Sequence, residues 1–423
     1  MNTSIIPSSR PLTNKPQAAW IDKLAKKGLL TRLAKLEHGQ LTIIDQEDVY
    51  LFGKPDDKTG LRATISVNHP KFYSAVAFGG SVGAGEAYFQ GYWDCDYLTG
   101  LVQILLKNRD ILDNMDESLV RLKTPIFNLI HWLNRNTREG SRRNISAHYD
   151  LGNDFFKLFL DENMMYSSAI YPSNSSTLEQ ASRHKLERIC QKLQLTCTDH
   201  VLEIGTGWGG FALHAARNYG CKITTTTISQ EQFNLATRRV REAGLEDKIT
   251  VLLSDYRDLI GKFDKIVSIE MIEAIGHQYI NTYFEKCGDL LADDGIILIQ
   301  AITIADQRYQ AALKEVDFIK RYVFPGCFIP SVTAIQNAVT KSSNMRMANL
   351  EDIGPHYART LRDWRIRFFN QLKAVRAQGY SEEFIKLWEF YLCYCEGGFK
   401  ERVISDVQLV FVKPENRINF SAK

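Results

Sequence analysis

At 423 residues the chain is long enough for two or three units that each bury a core. Its 44% hydrophobic and 24% charged residues place it among ordinary globular proteins, and a formal net charge of +3 gives no global field toward nucleic acid. Apolar runs are strand-length, far short of the roughly 18 residues of a membrane span, and Met1 to Gln17 lacks the apolar stretch of a secretory signal. The expectation is a cytoplasmic protein with no nucleic-acid partner. No His/Cys cluster has metal-ligand spacing, so no metal is implied.

From Ala18 to Leu36, residues Trp20, Ile21, Leu24, Leu29, Leu30, Leu33 and Leu36 fall largely on one helical face. Lys23, Lys26, Lys27, Arg32 and Lys35 supply much of the other. Such a helix docks on a core, or also touches an anionic membrane surface. "QLTIID", "VYLF" and "LRATISV" then alternate as strands of a small sheet. "KFYSAVAFG" and "YLTGLVQILLKN" have helical spacing. The glycine-dense "GGSVGAGEAYFQGYWDCD" between them lacks the context of a dinucleotide fingerprint and reads as a tight turn into a packed aromatic segment.

"NRNTREGSRRN", Asn134 to Asn144, has linker composition, solvated or acting as a phosphate-contacting strap. The boundaries follow: an N-terminal α+β unit over 1–122, a linker over 123–147 and a catalytic unit over 148–423. In that last unit "HVLEIG", "CKITTTTI", "ITVLLSD", "KIVSIEM" and "GIILIQAIT" alternate with helical stretches, and "DVQLVFVKP" closes the chain. The fold class is α/β, a doubly wound sheet covered on both faces.

"VLEIGTGWGGFA" is the strongest motif. A strand ends in Glu203, turns through Gly205 and Gly207 and opens a helix near Gly209. The spacing is not that of a pyrophosphate loop; E-x-G-x-G is the pattern of S-adenosylmethionine (SAM) methyltransferases. The second strand ends in "TTTISQEQ" without an early carboxylate, leaving Thr227, Ile228 and Gln232 to face the ribose. Asp255 and Tyr256, at the third strand end, stand where an adenine would lie.

These blocks, together with "SAHYDLGNDFFKLFLDENMMYSSAIY", "SIEMIEAIGH" and "GPHYARTLRDW", resemble the cyclopropane fatty acid synthase family over nearly the whole chain. "EMIEAIGHQY", "DFIKRYVFPG" and "GGFKER" look closest to a branch shared with plant cyclopropane synthases. The resemblance implies SAM as methyl donor, an unsaturated phospholipid as substrate, peripheral contact with the inner membrane face and room for a homodimer. It implies bicarbonate as the base that removes a proton from the transferred methyl group. Carried over position by position, the bicarbonate cage comprises Glu273, Tyr357, the backbone of Ile302, Ser168 in place of the family Cys, and Gln300 in place of the family His. Tyr166 and Ser167 match contacts to the methionine end of SAM. Segments between Ile304 and Lys341 are expected to cap a lipid channel. Methyl-branched or methylene products, and a lipid- and SAM-binding protein without turnover, stand as alternatives.

Overall fold

The computed structural model describes residues 18–55, 60–110 and 151–418. The linker expected at 123–147, with its arginines, lies outside the described residues.

The N-terminal part opens with helix α1 (Trp20–Leu33), followed by strands β1 (Gly39–Asp45), β2 (Asp48–Lys54) and β3 (Arg62–Val67). Helix α2 (Lys71–Phe89), the short strand β4 (Trp93–Cys95) and helix α3 (Leu98–Lys107) complete it. The strands pair in the order β2-β1-β3-β4, with β1 antiparallel to β2 and parallel to β3. The three alternating runs form strands because each buries one face: Leu41 and Ile43 of β1, and Ala63 and Ile65 of β3, point into the core.

Two features of this part differ from expectation. The apolar side of α1 is split. Ala25, Leu33 and the following Leu36 are buried, whereas Trp20 is 76% exposed and Leu24 60%. The glycine-dense segment is mostly helix rather than turn. Gly80, at φ 52° and ψ −136°, kinks α2, and helix continues beyond it to Phe89. Packing overrides the low helix propensity of glycine here. A Cβ on Gly83 would stand 2.0 Å from the Ala75 carbonyl oxygen, and one on Gly85 2.4 Å from the Phe318 ring.

The second part starts with α4 (Asn153–Phe156) and α5 (Leu178–Leu193), then β5 (His200–Ile204), α6 (Gly210–Tyr219), β6 (Lys222–Thr227), α7 (Gln230–Glu242), β7 (Ile249–Leu253) and β8 (Phe263–Ile269). After β8 come α8 (Ile280–Leu290), β9 (Leu291–Ile304), α9 (Asp306–Lys314), a π-helical turn (Ile319–Val323) and α10 (Val332–Ser342). β10 (Arg346–Asp352), α11 (Gly354–Asn370), α12 (Leu372–Ala377), α13 (Glu382–Lys400) and β11 (Ile404–Val412) finish the described chain. The sheet order is β10-β11-β9-β8-β5-β6-β7. Strands β5 to β9 run parallel to their neighbours in that group, and β11 is antiparallel to both β9 and β10. The chain winds outward from β5 in both directions, so the carboxyl end of β5 is the switch point where ligands of such sheets bind.

Helix α13 joins the two parts. Tyr88 donates to Glu389 at 2.8 Å, Thr99 donates to Glu396 at 3.1 Å, and Lys386 pairs with Asp94 at 2.6 Å. One hydrophobic cluster runs through both, from Leu41 and Trp93 to Phe318, Trp364 and Trp388. Shared apolar burial of this kind is the main force holding the two parts together.

Candidate active site

The loop after β5 is held open by left-handed glycines: Gly205 at φ 101°, Gly207 at φ 51° and Gly209 at φ 85°. At Gly207 no atom lies within 4 Å of where a Cβ would stand, and the position lines a cavity of about 760 Å³. That is the room a bound ligand needs against bare backbone.

All ten residues expected to hold the cofactor line this cavity: Tyr166, Ser167, Glu203, Gly205, Gly207, Thr227, Ile228, Gln232, Asp255 and Tyr256. Several are fixed by one another. Thr225 donates to Glu203 Oε2 at 2.6 Å. Burial pushes the Glu203 carboxyl up to about 8. Thr227 donates to Gln232 Oε1 at 2.8 Å and accepts from the Ser229 amide at 3.1 Å. Tyr166 and Tyr391 hydroxyls bond at 3.0 Å. Asp255 is clamped by the guanidinium of Arg257, from Nε at 2.8 Å and from the terminal nitrogen at 2.6 Å, a bidentate pair that sequence reasoning missed. The Tyr256 hydroxyl is buried without a hydrogen-bond partner, a polar atom left for a ligand to satisfy. The open cradle at Gly207 and this orphaned hydroxyl both fit SAM.

Ser167 accepts from Lys185 Nζ at 2.8 Å. Lys185 lies wholly inside the protein, and burial lowers its ammonium to about 8, opposed by the surrounding carboxylates of Glu270, Asp161, Asp406 and Glu203. No motif flagged this lysine. Its signal was a single Lys on the apolar side of an otherwise amphipathic α5.

The expected catalytic residues divide. Glu273, Ile302 and Tyr357 line the cavity; Ser168 and Gln300 are fully buried just behind it. Glu273 Oε1 accepts from the Ile302 amide, and its Oε2 has no partner. Burial first, and then the neighbouring Glu270, push the Glu273 carboxyl up to about 8. The Ser168 hydroxyl turns away to the Ala169 carbonyl at 3.0 Å. Ser168 therefore presents its backbone N–H, not its side chain.

The donors converge on a residue absent from the expected cage. Glu270 follows β8 directly, in a left-handed conformation at φ 49°, and lines the cavity. Its Oε1 accepts from the Ser168 amide and from Gln300 Nε2, each at 2.8 Å, and its Oε2 accepts from the Tyr357 hydroxyl at 2.7 Å. Gln300 cannot turn its amide freely, because Gln408 donates to its Oε1 at 3.1 Å while Lys192 holds Gln408 at 2.8 Å. Gln300 also donates to Asp406 at 2.9 Å. Burial and then the charge of Glu270 raise the Asp406 carboxyl well above the usual range, favouring its protonated form. Bicarbonate does not fit this arrangement, since the Ser168, Gln300 and Tyr357 donors are already spent on Glu270. The signal in the sequence was the first acid of "EMIE", three residues before Glu273.

The cavity continues from the glycine loop past Glu270, Glu273 and Phe324 into the N-terminal part, where Leu41, Ile65 and Leu98 line it. Ile319 and Phe328, from the segments between Ile304 and Lys341, form one wall. A π-helical turn there places Ile319, and such turns concentrate at functional sites. Lys320, in the same turn, donates to the Ala312 and Glu315 carbonyls at 2.6 and 2.7 Å, closing the wall rather than reaching outward.

Residues 136–409 match the family model of mycolic acid cyclopropane synthetase. The chain is 36% identical to cyclopropane-fatty-acyl-phospholipid synthase of Escherichia coli K12 over 352 residues, covering 82% of this chain and 87% of that one. It is 37% identical to tuberculostearic acid methyltransferase UfaA1 of Mycobacterium tuberculosis over 341 residues, 79% of each. Among solved structures, the cyclopropane synthase MmaA2 of M. tuberculosis superposes with a TM-score of 0.60 at 28% identity, covering 64% of this chain and 98% of that one. With the glycine cradle and its cavity in place, these matches settle the kinship: the chain is a SAM-dependent methyltransferase and belongs to the mycolic acid cyclopropane synthetase family.

Proposed function

We propose that this enzyme transfers the SAM methyl carbon to a double bond of an unsaturated phospholipid acyl chain and closes a cyclopropane ring. The observation that carries the reading is the single cavity joining the glycine loop to the apolar interior of the N-terminal part. A small polar methyl acceptor needs no such tunnel; an acyl chain does.

Bound SAM supplies a methyl group activated by its sulfonium. The Gly205–Gly207 backbone, Tyr256 and the Thr227–Gln232 pair would position it, with Tyr166 and Ser167 at the methionine end. The aromatic and aliphatic wall of Ile319, Phe324 and Phe328 excludes water from the chain that meets it. Methyl transfer leaves a positive charge on the acyl chain, and the carboxyl groups of Glu270 and Glu273 flank the cavity where that charge develops. No step is routed through bicarbonate, whose expected donors are engaged.

A second reading, a methyl-branched or methylene product, is favoured by the 37% identity to a tuberculostearic acid methyltransferase. Expression in a host lacking such enzymes, with mass spectrometry and NMR of the fatty-acid methyl esters, separates the two. Ring-bearing chains support the proposal; methylated chains without a ring favour the second reading.

Access from the inner membrane face is part of the proposal. No helix among the described residues is long and apolar enough to cross a membrane. Trp20 and Leu24 instead project beside the exposed Lys23 and Lys27, an amphipathic arrangement suited to an anionic lipid surface.

A further inference from the structure

We infer that Glu270 is a built-in carboxylate base: it occupies the place an external anion would take and removes the proton from the transferred methyl group. The inference rests on the acyl-chain reading above and deepens it.

Three observations carry it. The first is donor geometry. Ser168 N–H, Gln300 Nε2 and the Tyr357 hydroxyl all end on this one carboxylate, within 2.7 to 2.8 Å. Glu273, three residues on, receives backbone amides alone, that of Ile302 and its own, and no side-chain donor among the described residues. The second is backbone. Glu270 holds φ 49°, a conformation costly for a side chain other than glycine and retained where the surroundings demand it. The third is access: Glu270 lines the cavity together with Gly205, Met271 and Tyr357, so its carboxylate meets whatever lies beside the glycine loop.

The Ser168 amide and Gln300 Nε2 end on Oε1 and the Tyr357 hydroxyl on Oε2, and the Asp406 carboxyl hydrogen-bonds the same group, so Glu270 is fixed in place while still lining the cavity. The step balances as follows. The alkene π pair forms a bond to the incoming methyl carbon, and the carbon–sulfur bond breaks with its pair going to sulfur. The neighbouring chain carbon becomes cationic. Oε2 then takes a proton from the new methyl group, and the released carbon–hydrogen pair bonds to the cationic carbon, closing the ring. One positive charge on the donor and one negative charge on Glu270 become neutral products and a protonated Glu270. These hydrogen bonds to the carboxylate also weaken it as a nucleophile, which disfavours capture of the cation as an ester.

The test uses the full chain with vesicles of an unsaturated phospholipid, SAM and buffer freed of carbon dioxide. The wild type should turn over without bicarbonate, gain nothing from its addition, and show no binding of ¹³C-bicarbonate by NMR. Glu270→Gly suits the positive φ and opens the place. It should keep SAM affinity by calorimetry, bind ¹³C-bicarbonate, lose ring closure by on the order of 10²-fold and recover with bicarbonate or formate. Glu270→Gln keeps the volume; it should lose ring closure without rescue, and it carries the test if the glycine variant fails to fold. A wild type that stalls without bicarbonate, or variants that close the ring as well as wild type in its absence, would overturn the inference. A methylated product without a ring from the wild type would instead contradict the cyclopropane reading, and the bicarbonate-binding measurement would still decide whether Glu270 fills the anion place.

Discussion

The Tyr357 hydroxyl, on α11, donates to Glu270 Oε2 at 2.7 Å, tying the C-terminal helices to the loop that leaves β8. Phe399 stacks on the Tyr357 ring at 4.5 Å between centroids and fixes the direction of that hydroxyl. A hydrogen bond to a charged group contributes about 1.5–3 kcal/mol, roughly 10- to 150-fold in an equilibrium. Tyr357→Phe should lower kcat within that range and leave the KM for SAM unchanged, because the ring and its packing remain. Steady-state kinetics with both substrates varied checks this; an unchanged kcat would remove Tyr357 from the reacting site.

Gly207→Val should abolish SAM binding. The branched side chain would both fill the open cradle and face a left-handed φ of 51°. Calorimetry reads the loss directly, and circular dichroism checks that the sheet is intact. Unchanged affinity would place the cofactor elsewhere.

Buried acids should make stability depend on pH. Glu273 holds its proton up to about pH 8 in the folded state, whereas the unfolded chain releases it near the ordinary 4.5. Between these values the folded state binds more protons, so stability falls as pH rises through that window. Glu203 adds in the same direction. Glu273→Gln should flatten the decline in Tm between pH 5 and 8 by an amount equivalent to on the order of 1 kcal/mol or more, one pKa unit being about 1.4 kcal/mol. A slope identical to wild type would mean that Glu273 is not held protonated.

Trp20→Ala with Leu24→Ala should weaken binding to anionic vesicles, and binding of the wild type should fall as salt rises, since exposed charges are screened beyond about 8 Å at physiological ionic strength. Cosedimentation measures both. Binding that ignores the substitutions would place the lipid contact on another surface.

Much of the fold was legible because strands and ligand loops obey local rules. The parallel strands of the large sheet carry continuous apolar runs, and E-x-G-x-G marks the loop after β5. What escaped notice depends on partners distant in sequence. β10, Arg346–Asp352, has an outer face half exposed at the sheet edge and so carries no clear alternation. The helix through Gly83 and Gly85 exists because Ala75 and Phe318 leave no room for a side chain there. In α1, helical spacing placed Trp20 and Leu24 on the core side, and only the tertiary packing leaves them uncovered. In the site, Ser168, Gln300 and Tyr357 were legible as a set, but their convergence on Glu270 joins four separate elements and has no signature in spacing.

The fate of the methyl hydrogens tests the central claim most directly. With SAM deuterated throughout its transferred methyl group and an unsaturated phospholipid as acceptor, ring closure removes one of the three labels and leaves no olefinic hydrogen in the product. The account predicts chains that keep two deuterium atoms in a cyclopropane methylene, seen by mass spectrometry and NMR. Chains that keep all three deuterium atoms in an intact methyl branch would contradict it.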